Sequence, residues 1–400
     1  MSLNTPLRRV LHGSPLHRTG GKIALAAILI GLFAFAFPTF VRYYTAQPLQ
    51  FLGALPFGFL IYLPTILVLY WLDRREREPA LLYWGVVFAL ILFFCMVSSR
   101  TTYFLIDHLQ VPFFVVVGPS EELWKVAPLL LLVIFARPAV NGTRDGFIYG
   151  ALGGLGFAIL ELAANFALSD FPTKGWSSLG LDIVGKANLL GTDVHIVWSA
   201  MLGAAIGYGV ASKRRWLRWL VPIGAYLLVA GTHSVNDWIG HIIAPIIGSE
   251  IYIRGILTAV TGMPVEQVVE VLKTNQLLFL STQLFNATTD LIVMNIIILP
   301  ILFAVLWKSG ATERRIVREQ LQAEPESVIK PEEYAGAEAE RRLHSRSFTG
   351  YSKKMMRKIR GLQNELAFRT DFVQRHGGDL ASDPPAQAIR AEIAGLRANT

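Results

Sequence analysis

From residue 23 to residue 307 the chain runs through apolar blocks, each about 20 residues long, the length of helix that crosses a bilayer. In hydrocarbon every backbone N–H and C=O needs an internal partner, so blocks of this kind are helices. Hydrophobic residues make up 53% of the 400 and charged ones only 16%, against about 25% charged in a soluble domain. Together with the block pattern, that balance excludes a soluble enzyme, a disordered chain and a β-barrel. It predicts an all-α, polytopic helical membrane protein with about eight transmembrane helices, at 23–41, 50–72, 80–99, 113–136, 147–168, 189–211, 216–238 and 276–307. The first block lies too far along the chain to be a cleaved signal peptide and reads as a retained anchor. Gly118-Pro119 interrupts the fourth, which predicts either a kink or a new helix capped by Ser120. The stretch 239–262, broken by Pro245 and Gly248, reads as an extension, an interfacial helix or a re-entrant segment. The single cysteine, Cys95, excludes an intramolecular disulfide and a cysteine metal cluster.

Eight spans put both termini on one side. The segments on that side carry 17 basic residues near the blocks and the alternating segments 6. The positive-inside rule makes the richer side cytoplasmic, in a plasma or inner membrane. The chain then divides into a cytoplasmic segment 1–22, a membrane domain 23–307 and a basic helical cytoplasmic tail 308–400. Tail helices are expected at 312–323, 334–344, 351–373 and 386–398, separated by prolines and Gly350. Residues 341–360 hold eight basic side chains and no acidic one. Such a run either attracts anionic lipid headgroups or is simply a solvated helical face. No nucleic-acid module accompanies it, so no nucleic acid is expected.

Ionisable groups inside spans cost about 2.5–3.5 kcal/mol each on insertion scales. This chain places Glu121, Glu122, Lys125, Glu161, His195, His233, Asp237 and Asp290 there. Glu121 and Glu122 stand four and three residues before Lys125, so both carboxylates reach one ammonium. His233 has Asn236 and Asp237 on its own face, and Thr282, Asn286 and Asp290 form a stripe at four-residue spacing. Counted from the outer ends, Glu121 is eight residues in, His195 six, Glu161 seven and His233 five. All four then lie roughly 8–12 Å below the outer boundary. Taken singly, a Glu-Lys pair is as readily a buried structural bridge and a lone histidine a packing residue. Two adjacent carboxylates sharing one cation are harder to account for structurally. They leave a surplus negative charge in low dielectric, which favours a proton on one of them near neutral pH, as a general base requires.

Glu121-Glu122-Leu123-Trp124-Lys125 resembles the EExxK motif of the PrsW family of intramembrane proteases, kin to the CAAX proteases and bacteriocin-processing enzymes. Asp145 to Gly150, Gly154 to Phe157 and then Glu161 resemble the second motif, and His195 with Trp198, Gly203 and Gly207 the third. Gly231 to Asp237 resembles the last histidine-bearing helix. The resemblance covers about residues 80–240, and Leu162 departs from the Asn expected after Glu161. It implies peptide-bond hydrolysis in the membrane, with anti-sigma factors as the associated substrate type and processing of peptides or prenylated proteins as the alternative; the depth of the site points to single-span proteins cut near the outer face.

In the preferred assignment Glu121 or Glu122 is the base that activates water, and no cofactor is required. Lys125 orients the other carboxylate. His195 and His233 serve as oxyanion donor and general acid, Asn236 or Asp237 fixes the His233 tautomer, and Glu161 positions water or a histidine. The alternative is zinc on Glu161, His195 and His233 with a first-motif Glu as base. HExxH and GxGD are both missing, and Ser120 as a rhomboid-type serine fits the following carboxylates poorly. Outside the proteases, the readings are a proton-coupled transporter using Glu121, His195 and Asp290, or a non-catalytic membrane scaffold.

Overall fold

The computed structural model describes residues 5–73, 90–170, 193–238, 298–339 and 351–398, with positions 82, 85, 172, 175, 176, 179 and 296. These residues are helical, with no strand among them. A short α1 (Pro6–Val10) and a 3-10 turn lead into α2 (Thr19–Ala46), α3 (Pro48–Ile61) and α4 (Leu63–Leu72). Then come α5 (Ile91–Leu109), α6 (Phe113–Phe135), α7 (Thr143–Asn165), α8 (Val194–Ala211) and α9 (Leu217–Trp238). The last part holds α10 (Leu299–Leu321), α11 (Pro331–Ala339), α12 (Lys353–Arg375) and α13 (Pro384–Ala398).

By length and composition three described helices can cross a membrane, at Thr19–Arg42, Thr143–Leu168 and Val194–Ala211. A fourth crossing arises if α3 and α4, bent by 54° at Tyr62, count as one broken span. Helices α6 and α9 lie on two further expected spans, and α5 on the last part of a third. Most of the expected eighth span, with Thr282, Asn286 and Asp290, lies outside the described residues, as does 239–275.

Burial separates the helices. In its best 18-residue window α7 is 89% buried and α2 only 11%. So α7 is the central post, packed against α3, α6 and α8, while α2 lies outside with Ile23, Ile30 and Phe37 exposed, as a lipid-facing helix requires. Glycine explains how closely α7 and α8 pack. Gly146, Gly150 and Gly154 of α7 lie against Gly203, Ser199 and His195 of α8, and a Cβ on any of the three would run into the facing carbonyl. A four-residue ridge of small residues on each helix forms one seam.

Two expected boundaries move. The polar run Ser98 to Thr102 predicts an end at 99, yet α5 continues to Leu109. Thr101 Oγ1 donates back to Val97 O at 2.7 Å, Trp124 Nε1 donates to Thr101 Oγ1 at 3.1 Å, and Thr102 bonds Ser120. The hydroxyls are satisfied within the bundle, so the helix need not stop. Likewise α6 runs unbroken through Gly118-Pro119, and Ser120 lies inside it rather than at a cap. Tyr226 of α9 donates to Pro119 O at 2.8 Å and supports the helix there.

The tail is more than a solvated helical face. α10 runs through position 308 and carries the chain into a helical assembly with its own apolar clusters. One joins Val328, Ile359, Leu366 and Ile389, another Val317, Leu321, Ile329 and Phe368. Each such leucine or isoleucine contributes about 1.5–3 kcal/mol on burial. Many of its charges pair internally, as in the two-pronged Arg369–Asp383 and Arg390–Glu324 bonds. The assembly docks on the bundle end where α7 begins and α8 finishes. Arg375 donates to Ala211 O at 3.2 Å and Asn141 O at 3.4 Å, Arg144 pairs with Glu313, and Arg9 forks onto Glu365 while reaching Glu392 at 3.0 Å.

A candidate active site around a buried lysine

The site is assembled by four helices around Lys125. α6 supplies Glu121, Glu122 and Lys125 on consecutive turns. α7 supplies Phe157 and Glu161, α8 His195 and Trp198, and α9 His233 and Asp237. Gly118 lets α6 approach α9: a Cβ there would meet Ala230 O and come within 2.9 Å of Ser234 N. That closeness brings Glu122 to His233.

Lys125 is 2% exposed and Glu122 wholly buried. Lys125 Nζ lies 2.7 Å from Glu122 Oε1, 3.1 Å from Glu121 Oε2 and 2.6 Å from His195 Nδ1, and 4.4 Å from the centre of the Phe157 ring. An ammonium has N–H donors and no lone pair, so Lys125 donates to Glu122 Oε1 and His195 Nδ1 must accept, with Glu121 beside them as an ion-pair neighbour. The His195 proton therefore sits on Nε2, which lies 2.8 Å from Glu161 Oε2. By the same logic His233 donates from Nδ1 to Glu122 Oε1 at 2.8 Å. Its bare Nε2 then faces Glu121 Oε2 at 3.7 Å and Asp237 Oδ2 at 3.6 Å. The two imidazoles are 5.3 Å apart between ring centres, and Trp198 covers His233 at 4.6 Å.

The two adjacent carboxylates thus differ. Glu122 has no side-chain exposure and holds Lys125 and His233 together; Glu121 is 16% exposed and stands beside both. Glu121 Oε2 makes no aligned hydrogen bond despite its closeness to Nζ, and Glu122 Oε2 is buried without a partner. Against one ammonium stand the three carboxylates Glu121, Glu122 and Glu161. The surplus negative charge is matched only by added positive charge, as protons or a cation.

The residues singled out from sequence largely converge. Glu121, Glu122, Lys125, Glu161, His195 and His233 form one network, and Asp237 stands at its edge. Asn236 makes no hydrogen bond to His233; Glu122, not Asn236 or Asp237, holds the Nδ1 proton. Ser120 turns away toward Thr102 of α5. His195 is not a turn and a half inside its span: α8 begins at Val194, with Asp193 as N-cap. Asp193 and its partner Tyr62 were not singled out. The one signal was an Asp just before an apolar run, the mark of a helix start.

The donor atoms of Glu121, His195 and His233 all lie within 4.8 Å of one another. Two imidazoles and a carboxylate, with a second carboxylate orienting one imidazole through Nδ1, suit a divalent transition-metal ion. His195 would have to release Lys125 or Glu161 to join such a set. The trio contains Glu121 where the sequence pattern offered Glu161, which instead binds His195 from the other side.

Residues 79–265 match the model of a family described as PrsW family intramembrane metalloprotease. No curated protein and no solved structure matches the chain.

Proposed function

We propose, from the match of residues 79–265 to the PrsW family of intramembrane proteases, that the chain is an endopeptidase that cuts single-span membrane proteins toward the outer face, with Glu121 as the base. The observation that carries the assignment is the asymmetry between the two carboxylates. Glu122 is enclosed and committed to Lys125 and His233, while Glu121 is partly open and faces the bare Nε2 of His233. A water in this corner gives a proton to Glu121 as its oxygen attacks the scissile carbonyl carbon. The carbonyl π electrons move onto oxygen, and the proton passes to the amine nitrogen as the C–N bond breaks. Lys125 orients Glu122 and holds His195 in one tautomer. The His195 Nε2–H, held by Glu161, is the donor nearest to serve the oxyanion.

A second reading has a specific observation behind it, the trio of donors within 4.8 Å. A zinc-type ion on Glu121, His195 and His233 would supply a Lewis acid and a water that ionises near neutral pH. Glu122 would then orient His233, and Glu161 would hold His195.

The preponderance of basic residues, 17 against 6, supports a multi-pass protein with both termini cytoplasmic. Lys354, Arg357 and Lys358 lie exposed on α12, which supports an anionic lipid surface as partner of the basic run. An anti-sigma-factor-type substrate rests on the family likeness.

The test is cleavage of a panel of single-span fusions by purified protein in liposomes, with and without chelator. Loss in Glu121→Gln but not with chelator supports the glutamate-activated water. Loss with chelator, restored by zinc, moves the same residues to the metal reading. Undiminished cleavage by Glu121→Gln would retire both.

A further inference from the structure

Two buried polar residues outside the cluster converge on the start of α8. Asp193 is its N-cap, in extended backbone, and Oδ1 accepts the His195 N–H at 2.8 Å. The other carboxylate oxygen, Oδ2, accepts from Tyr62 Oη at 2.9 Å. Tyr62 is 1% exposed and Asp193 3%.

Tyr62 is no ordinary helical residue. It stands at the 54° break between α3 and α4, with Pro64 in the first turn of α4. A broken helix at membrane depth is tolerated where the surrounding protein covers it, and it turns side chains toward places a straight helix does not reach. Here the break delivers one hydroxyl to one carboxylate 131 residues away.

A cap needs only an acceptor for the orphan N–H, which Ser or Asn supplies as well as Asp. The Tyr62 bond adds nothing to that duty. It fixes the second oxygen, and with it the torsion of the Asp193 side chain. The backbone that Asp193 grips belongs to His195, whose ring must meet Lys125 at 2.6 Å and Glu161 at 2.8 Å together.

We propose that Tyr62 and Asp193 are positioning residues, a hydroxyl–carboxylate brace that sets the His195 imidazole between Lys125 and Glu161. The brace deepens the protease reading, since it rests on His195 serving the reaction. Neither residue touches substrate.

The test uses the full chain in liposomes with Tyr62→Phe, Asp193→Asn and Asp193→Ala. Two quantities are read: kcat and KM on a cleaved fusion, and the ¹⁵N signals of the His195 ring, assigned by difference from His195→Gln. Tyr62→Phe lowers kcat about tenfold with KM unchanged, as a small misplacement of a reacting group does, and the His195 signals leave the single Nε2–H tautomer. Asp193→Asn keeps an acceptor for the N–H and can donate its amide to Tyr62 Oη in place of the bond the carboxylate accepted, so it retains most of kcat and the wild-type ring signals. Asp193→Ala loses both. Wild-type ring signals in Tyr62→Phe would overturn the brace, and so would a kcat loss no larger than the loss of folded protein. The ring signals decide without any substrate. Full cleavage by Glu121→Gln or His195→Gln would instead retire the catalytic reading and leave the brace to be judged by those signals.

Discussion

Neighbouring residues on a helix point about 100° apart, and on α6 that turn separates two carboxylates by burial: Glu122 has no side-chain exposure and Glu121 has 16%. Their substitutions should therefore fail differently. Glu121→Gln removes the base proposed above and is expected to lower kcat by about 10³-fold, while the unfolding temperature in detergent stays near wild type. Glu122→Gln takes a charged acceptor from both Lys125 and His233 in a dry site. It is expected to cost about 3 kcal/mol of stability, seen as a lowered unfolding temperature along with lost activity. If Glu122→Gln unfolds like wild type, Glu122 is not the member that holds the network. Residues of this sort are legible in sequence because a charge in an apolar block is costly and has to be explained. Tyr62 and Asp193 were not legible for the opposite reason. An aromatic inside an apolar block and an acid at its edge are both unremarkable locally, and only the fold brings them together.

Between elements, the geometry of the site depends on glycine. α7 can stand against both α6 and α8 because Gly153 faces Lys125 O and Gly154 faces His195 O, two contacts with no room for a methyl group. Gly150→Ala places a carbon against Ser199 O and 2.9 Å from the Cα of Gly203, so the backbones must part. Overpacking of this kind costs about 1–3 kcal/mol, and the parting also draws His195 away from Glu161. Gly231→Ala on α9 meets nothing within 4 Å, and there the gain in helix propensity should stabilise by about 0.5–1 kcal/mol. Thermal unfolding of the two variants is expected to shift in opposite directions, and equal shifts would sink the seam argument. The helices were legible as apolar blocks, and the Gly-rich runs as close-packing surfaces. Their limits were less so, because tertiary partners decide them. Hydroxyls satisfied by neighbouring helices carry α5 on to Leu109, and the N-cap at Asp193 starts α8 beside His195 rather than a turn earlier.

Across the whole molecule, the tail assembly grips the two helices that carry Glu161 and His195, and it does so at their far ends. Arg375 joins the last turn of α8 to the approach of α7, and Arg9 ties the N-terminal segment to α12 and α13. The charges were legible as a basic tail; the pairing was not, because Glu313, Glu365 and Glu392 lie far in sequence from the arginines they meet. Two histidines sit in this junction. Burial and then the Arg369 guanidinium push His12 below its ordinary 6.5. Burial, followed by Arg137, Arg375 and Arg218, pushes His376 down, against a backbone bond to Phe372 that raises it. A group whose value is lowered in the docked chain binds fewer protons there than when released, so protonation favours release. Docking is therefore complete above the ordinary histidine value and weakens as pH falls through it toward the lowered ones. A second window lies lower. Burial alone would raise Asp383, but Arg369 outweighs it and holds the carboxyl below its usual 3.8, so that ion pair contributes above about pH 4 and is lost on further acidification. Both groups of residues are partly open to solvent, so each step is modest. Hydrogen exchange of α12 and α13 amides, corrected for intrinsic rates, should show protection falling between pH 7.5 and pH 5.5. In a His12→Gln, His376→Gln double variant that fall should flatten, while the acid step belonging to Asp383 remains. A fall of the same size in the double variant would assign the pH response to other groups and leave the two histidines as bystanders at the junction.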